Sequence, residues 1–162
     1  MSKISFTCDL HKTVEVLLWV MGQSKEGVNL YNLVKTIFHA DCYHLNNYGR
    51  PVTGDHYIAM DHGTVPSWVY DLLKHDPFTL CDAGYELGGQ TLPFEAKGNM
   101  LVAKRPFNPD FLSESDIEAL QQGFKEYGTL SFHEVRNKNH SHPAWKKYYF
   151  EQPIKKFFLK HL

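Results

Sequence analysis

The sequence has little that would mark a protein as exported, membrane-spanning or disulfide-stapled. Its three cysteines, Cys8, Cys42 and Cys81, are odd in number and lie far apart, which fits reduced thiols in a cytoplasm better than a disulfide framework. No apolar run approaches the roughly 18 residues that would suggest a membrane span. The N-terminal MSKISFTCDLHK has no apolar stretch of signal-peptide length, and Asp9 and His11 interrupt it before the first hydrophobic run. The predicted location is therefore cytoplasmic, with no membrane partner. Linkers rich in Pro, Ser and Gly are missing, as is any repeat of 20 to 50 residues, so a single domain over 1–162 is expected.

The strong signatures of catalysis are missing too. There is no HExxH, no CxxC pair, no GxSxG elbow, no Walker loop and no GxGxxG; GYELGG is spaced for a hairpin turn instead. His39, Cys42 and His44 are metal-ligating types on one stretch, but on a helix His44 is rotated away from the other two. A zinc site would need His140 and His142 from elsewhere. A cysteine nucleophile would need one of ten histidines in space, and nothing flanking Cys42 or Cys81 supports it. The reading is a non-enzymatic protein with no cofactor and no metal, a His/Cys-dependent enzyme being the weakest alternative.

What is present is a chain of 162 residues, 43% hydrophobic and 14% aromatic, long enough and apolar enough to bury its own core. The net charge of −1 is unevenly spread. Residues 133–162 hold seven lysines and arginines against Glu134 and Glu151, a local +5 that leaves −6 for the rest. Lysines at helical spacing are usually the solvated side of an amphipathic helix. The tail also keeps open an alternative function, a stand-alone phage or mobile-element protein binding nucleic acid or another anionic ligand. A helix-turn-helix, a zinc finger and a basic-aromatic strand pair are all lacking, so nucleic acid is not the expected partner.

Periodicity gives helices at both ends and a turn-rich middle. Asp9 is a plausible N-cap for a helix carrying Leu10, Val14, Leu17, Leu18 and Met21, with Gly22 and Gly27 at its exit, the N-terminal helix within 1–29. A central helix is predicted over Asn29 to Asn46, stopped by Gly49 and Pro51. Extending its stripe from Ile37 places Asp41 and His44 on the apolar face. A buried carboxylate demands a donor or a cation, and the late segment HSHPAW, through His142, a backbone amide or the indole of Trp145, is the predicted supplier.

Further on, GDHYIAMDHG alternates like a strand with Tyr57 and Ala59 on one side, and Pro66 suits the first turn of a helix carrying Val69, Leu72 and Leu73. The segment Phe78 to Arg105 reads as hairpins around Gly88-Gly89 and Gly98-Asn99, pairing with the strand near Tyr57 in one small antiparallel sheet. Ser113 and Asp116 form a capping box for a helix with Ile117, Leu120 and Phe124. A short helix, a polar turn, an aromatic segment and a C-terminal helix over 150–162, burying Ile154, Phe157, Phe158 and Leu162, complete the chain. The expected fold class is α+β, mainly α: one compact helical domain with a small antiparallel sheet in the middle.

One ordered combination stands out: Phe38-His39-Ala40-Asp41, Tyr48-Gly49-Arg50-Pro51, Gly54-Asp55, Tyr57, Ala59-Met60, a turn at Gly63 to Pro66, and a late His142-Pro143 and Trp145. Over about residues 30–149 the chain resembles the Panacea domain family, which includes SocA-like antitoxins and phage-associated GepA-like proteins. The family's turn has proline after the glycine, where this chain reads Gly63-Thr64-Val65-Pro66.

The resemblance implies an antitoxin that neutralises a cognate toxin protein by direct binding, with unrelated toxins as partners across the family, and in one case by delivering the toxin to a protease. A protease or chaperone is thus a possible second partner. Many members carry a DNA-binding segment as well; this chain shows the domain alone, and contact with its own operator is not expected. Two regions suit a partner interface: the loop region of Arg50, His56, His62 and Trp68, and the basic tail of Lys146, Lys147, Tyr148, Lys155 and Lys156. The loop region is preferred, because its glycines and prolines set a rigid shape. The remaining signature residues, Asp41, Gly49, Pro51, Gly54, Asp55, Tyr57, Gly63, Pro66, His142 and Trp145, are assigned structural roles.

Overall fold

A computed structural model describes residues 5–150 and 156–158. The Asp9 side chain accepts from the Lys12 amide and starts helix α1, Leu10–Met21, whose residues from Thr13 onward are all buried. Asn29 caps helix α2, Leu30–Tyr48, through the Tyr31 amide, and Gly49 ends it in the left-handed region at φ 77°. The central helix thus falls within two residues of its predicted span.

Strands β1, Val28–Asn29, β2, His56–Met60, and β3, Gly63–Pro66, follow the chain around α2. Helices α3, Ser67–Leu73, and α4, Pro77–Asp82, lead to the hairpin of β4, Phe94–Lys97, and β5, Met100–Ala103. A 3-10 turn at Pro109–Phe111 precedes α5, Glu114–Tyr127, whose capping box of Ser113 and Asp116 is complete. The chain continues through α6, Phe132–His140, with a second capping box from Ser131 and Glu134, then α7, Pro143–Phe150, and strand β6, Lys156–Phe158.

The fold class is α+β and mainly α, as expected, but the strands among the described residues form two antiparallel sheets rather than one. One sheet has the order β1-β5-β4 and the other β3-β2-β6. The strand near Tyr57 does not pair with the 78–104 region; Tyr57 faces Pro66 on one side and Phe157 on the other. The first of the expected hairpin runs is helical as well, because Asp76 accepts from the Thr79 amide and Pro77 pre-sets the opening φ of α4. Gly63–Pro66, read from the sequence as a turn, is strand β3, paired with β2 from Met60↔Gly63 to Tyr57↔Pro66.

The C-terminal helix expected over 150–162 is overturned at Lys156–Phe158, which pairs as a strand with His56–Ile58. Ile154 and Leu162 lie outside the described residues. Alternation was too short there for periodicity to separate helix from strand; an open strand edge on β2 decides it.

Helix α2 runs through the middle of the molecule. On one side Leu33, Val34 and Ile37 join the main core with α1, α3 and α5; on the other, Phe38 and Leu45 form a second cluster with Tyr57, Ala59, Ala144 and Trp145. Helix α5 crosses α2 at close range, and a Cβ at Gly123 would stand 2.3 Å from the Thr36 carbonyl oxygen. No helix among the described residues is long and apolar enough to cross a membrane.

Candidate functional site

Asp41 and Lys35, both buried on α2, have different surroundings. Asp41 is fully buried and accepts four hydrogen bonds: from the Val52 and Thr53 amides at 2.8 Å each, the Thr53 hydroxyl at 2.5 Å and the Tyr57 hydroxyl at 2.7 Å. Gly49 and Pro51 turn the chain back along α2 so that the next segment supplies every one of these donors. Burial pushes the Asp41 carboxyl upward, and the bonds from Thr53, Tyr57 and Val52 pull it back.

His142 and Trp145 do not serve Asp41, which corrects the predicted supplier. The Trp145 indole donates to the Met60 carbonyl at 2.8 Å, and the His142 ring packs edge-on against Phe38, 4.9 Å between centroids. The two halves of the signature meet through that apolar cluster, since an aspartate already saturated by nearby amides has no vacancy for a distant donor.

Lys35, 1% exposed, is the contrasting case. Its ammonium donates to the Thr64 carbonyl oxygen, and no carboxylate among the described residues pairs with it. Burial lowers its pKa to about 7. Gly63 makes the arrangement possible: at φ 114°, a Cβ there would lie 2.9 Å from Lys35 Cε and Nζ and 2.4 Å from Asn139 Oδ1. Asn139, itself buried, accepts from the Thr64 amide at 2.8 Å and locks β3 to α6.

Above Lys35 opens a cavity of about 370 Å³ whose walls include Tyr31, Ile58, Met60, Val65 and Tyr70, with Asp61 and His62 beside them. Two of the lining side chains, Tyr31 and His62, pack edge-on against the neighbouring Phe132, at 4.8 and 5.4 Å. Tyr31, Met60 and Phe132 are each more than a third exposed. Lys35 lies off the Leu33, Val34 and Ile37 stripe by which α2 is read from the sequence. The missed signal is that Lys35 sits between Tyr31 and Phe38 at i−4 and i+3, opposite an obligatory glycine.

Of the proposed interface residues, His62 lines this cavity. The Arg50 guanidinium is engaged elsewhere, with Asp116 at 3.0 Å, the Pro51 carbonyl and the Ser113 hydroxyl, in a cleft it shares with Phe6 and Lys12. Lys12 reaches the same Asp116 at 2.9 Å; burial would raise that carboxyl, but Lys12, the Ser113 amide and Arg50 hold it below its ordinary value. His56 lies 3.5 Å from Asp55, whose carboxylate also accepts from the Trp68 and Val69 amides at the start of α3. Trp68 packs on the main core. Burial raises Asp55 to about 6 against the pull of those amides. In the basic tail, Lys146 and Lys147 are exposed on α7; Lys155 lies outside the described residues.

The residues considered for metal or nucleophilic chemistry are dispersed. Among the described residues no three His, Cys, Asp or Glu side chains are placed to hold a metal ion. His44 donates through Nδ1 to the Arg50 carbonyl at 2.7 Å, and its Nε2 shares a hydrogen bond with the Ser115 hydroxyl at 2.9 Å, closing the C-terminal end of α2 onto α5. Burial pushes the Cys42 thiol upward and raises Cys8 to about 12, which disfavours the thiolate a nucleophile needs.

The family model of the SocA-like antitoxin, Panacea domain, matches residues 33–146. That span runs from the first turn of α2 into α7 and takes in Lys35, Asp41, Gly63, Asn139 and Trp145. No match was found among curated proteins or among solved structures. The chain belongs to the SocA-like, Panacea domain antitoxin family.

Proposed function

We propose that this antitoxin-family protein acts in the cytoplasm by binding a toxin protein directly, and that it does so with the face where Tyr31, Met60, His62 and Phe132 surround the cavity over Lys35. The observation that carries this reading is that cluster of partly exposed aromatic and thioether side chains, gathered from α2, β2 and α6 around a concave site. Interfaces draw their affinity from aromatic and Met anchors seated in pockets, while surrounding polar groups exclude water. Of the loop-region residues, His62 contacts the partner; Trp68, His56 and Arg50 hold α3 and the start of α5 behind it. Binding of this kind neutralises by occlusion, without turnover of either protein.

The test is co-expression with the protein encoded beside this one. Growth rescue, and a complex that survives moderately raised salt, support the reading. Phe132→Asp and Tyr31→Ala should weaken both, while charge reversal at Lys146, Lys147, Lys155 and Lys156 leaves them intact. Collapse of binding in raised salt, or abolition by the lysine reversals alone, would move the interface to the tail. Rescue that disappears in cells lacking ATP-dependent proteases would replace occlusion by delivery to a protease.

A further inference from the structure

Lys35 is held in a state that the fold itself does not complete. An ammonium has three N–H donors, and the described structure shows one hydrogen bond for it, to the Thr64 carbonyl oxygen. A Cβ at Gly63 would stand 2.9 Å from the Lys35 Cε and Nζ, so the glycine backbone lies close over the group, which is 1% exposed. The acid in the cavity wall, Asp61, accepts from the Tyr149 hydroxyl at 2.5 Å. A buried cation without an anion is strongly unfavourable, and a chain that retains one at the floor of an open cavity leaves a complementary charge to be supplied from outside.

We infer that the cavity over Lys35 receives an aspartate or glutamate side chain of the toxin, flanked by apolar residues, whose carboxylate pairs with the Lys35 ammonium. The inference rests on the direct-binding reading above and names the chemistry of its anchor. A single ammonium matches a single negative charge; a phosphate would call for a fork of donors such as arginine or successive backbone amides, and apart from Asp61, engaged by Tyr149, and His62 the walls here are Tyr31, Ile58, Ala59, Met60, Val65 and Tyr70. Those walls require that the carboxylate arrive among apolar atoms. A volume of about 370 Å³ is near the lower end of ligand pockets, room for roughly one or two side chains. The depressed pKa of Lys35, about 7, fits a cation that lacks its counter-charge and would recover it on binding.

Two measurements test this, and they fail separately. In the first, 3-phenylpropionate and its neutral amide are titrated onto the full protein and onto Lys35→Met, followed by backbone amide NMR. Expected are saturable shifts at Tyr31, Ile58 and Met60 with the acid, about tenfold weaker binding of the amide, and equal weak binding of both to Lys35→Met. Equal binding of acid and amide to the wild type, or no shift with either, overturns the inference.

In the second, the complex with the neighbouring toxin is measured with wild type and Lys35→Met, whose fold is checked by thermal unfolding. A dissociation constant raised at least about tenfold in a stably folded Lys35→Met supports the anchor. An unchanged constant overturns it while leaving direct binding intact. Absence of any wild-type complex removes the direct-binding reading and with it the toxin as occupant, even if the acid probe binds.

Discussion

Asp41 and Lys35 lie six positions apart on one helix, both buried, and their environments are opposite. The aspartate has four donors, all from residues 52–57, and its site is closed on every side. The lysine has one acceptor and faces a cavity. A buried charge with its hydrogen bonds complete organises the backbone around it; one left incomplete is available to something else. The contrast separates the part of the signature that builds the domain from the part on which we place its interface.

The largest effect should come from emptying the closed site. Asp41→Ala leaves two amides and two hydroxyls without their acceptor, and unfolding in urea should show a loss of about 3–5 kcal/mol. A loss below about 1 kcal/mol would mean that Asp41 is no more committed than Lys35, and the contrast would fail.

Gly63→Ala attacks the backbone that lies over Lys35. The added Cβ meets Asn139 Oδ1 and the end of Lys35, and φ 114° is a conformation that alanine resists. A loss of about 1–3 kcal/mol is expected. It should be partly recovered by adding Lys35→Met if the lysine is the crowded neighbour.

The pH dependence should show the two kinds of buried group with opposite slopes. Asp55, the carboxylate behind Tyr57 and α3, has its folded pKa raised to about 6 from 3.8, so between about pH 4 and 6 the native state holds a proton that the unfolded chain has lost. Its contribution is present in full below pH 4 and is lost as the pH rises through 6. Lys35, lowered from 10.5 to about 7, behaves in reverse: the unfolded chain binds the extra proton between about pH 7 and 10.5, so this contribution to stability grows as the pH rises through that window. Denaturant midpoints across pH should lose the alkaline rise in Lys35→Met and keep the acid-side fall. Persistence of the alkaline rise in that variant would assign it to another group.

Lys35→Met itself should change stability least, by between zero and about 1 kcal/mol in the stabilising direction. It removes an unpaired ammonium and fills the same volume. A clear destabilisation would show that the bond to Thr64 is worth more than the cost of burying the amine, and would bring the lysine closer to the aspartate in kind.

The helices were legible in the residues because caps and stripes are local. Asp9, Asn29, Ser113 and Gly49 act within three or four residues of themselves, and each marks a boundary seen in the structure. Burial of Asp41 was legible for the same reason, since its phase on α2 follows from Ile37. Its partners were misplaced because a sequence shows that a donor is needed and not which of several segments arrives first. The sheet pairing was misread for a related reason: β2 finds its neighbours in β3, two residues away, and in β6, about a hundred residues away.

Sequence alone therefore determined the spans of the main helices, the mainly helical class, the family resemblance and the fact that α2 carries a buried carboxylate, all of which depend on spacing along one chain segment. Only the tertiary structure decided that Lys35 is buried, because its cover comes from the β2–β3 hairpin and from Asn139 on α6, more than a hundred residues away. A lysine reads as solvated wherever nothing nearby in sequence encloses it, and enclosure is a property of packing between distant elements.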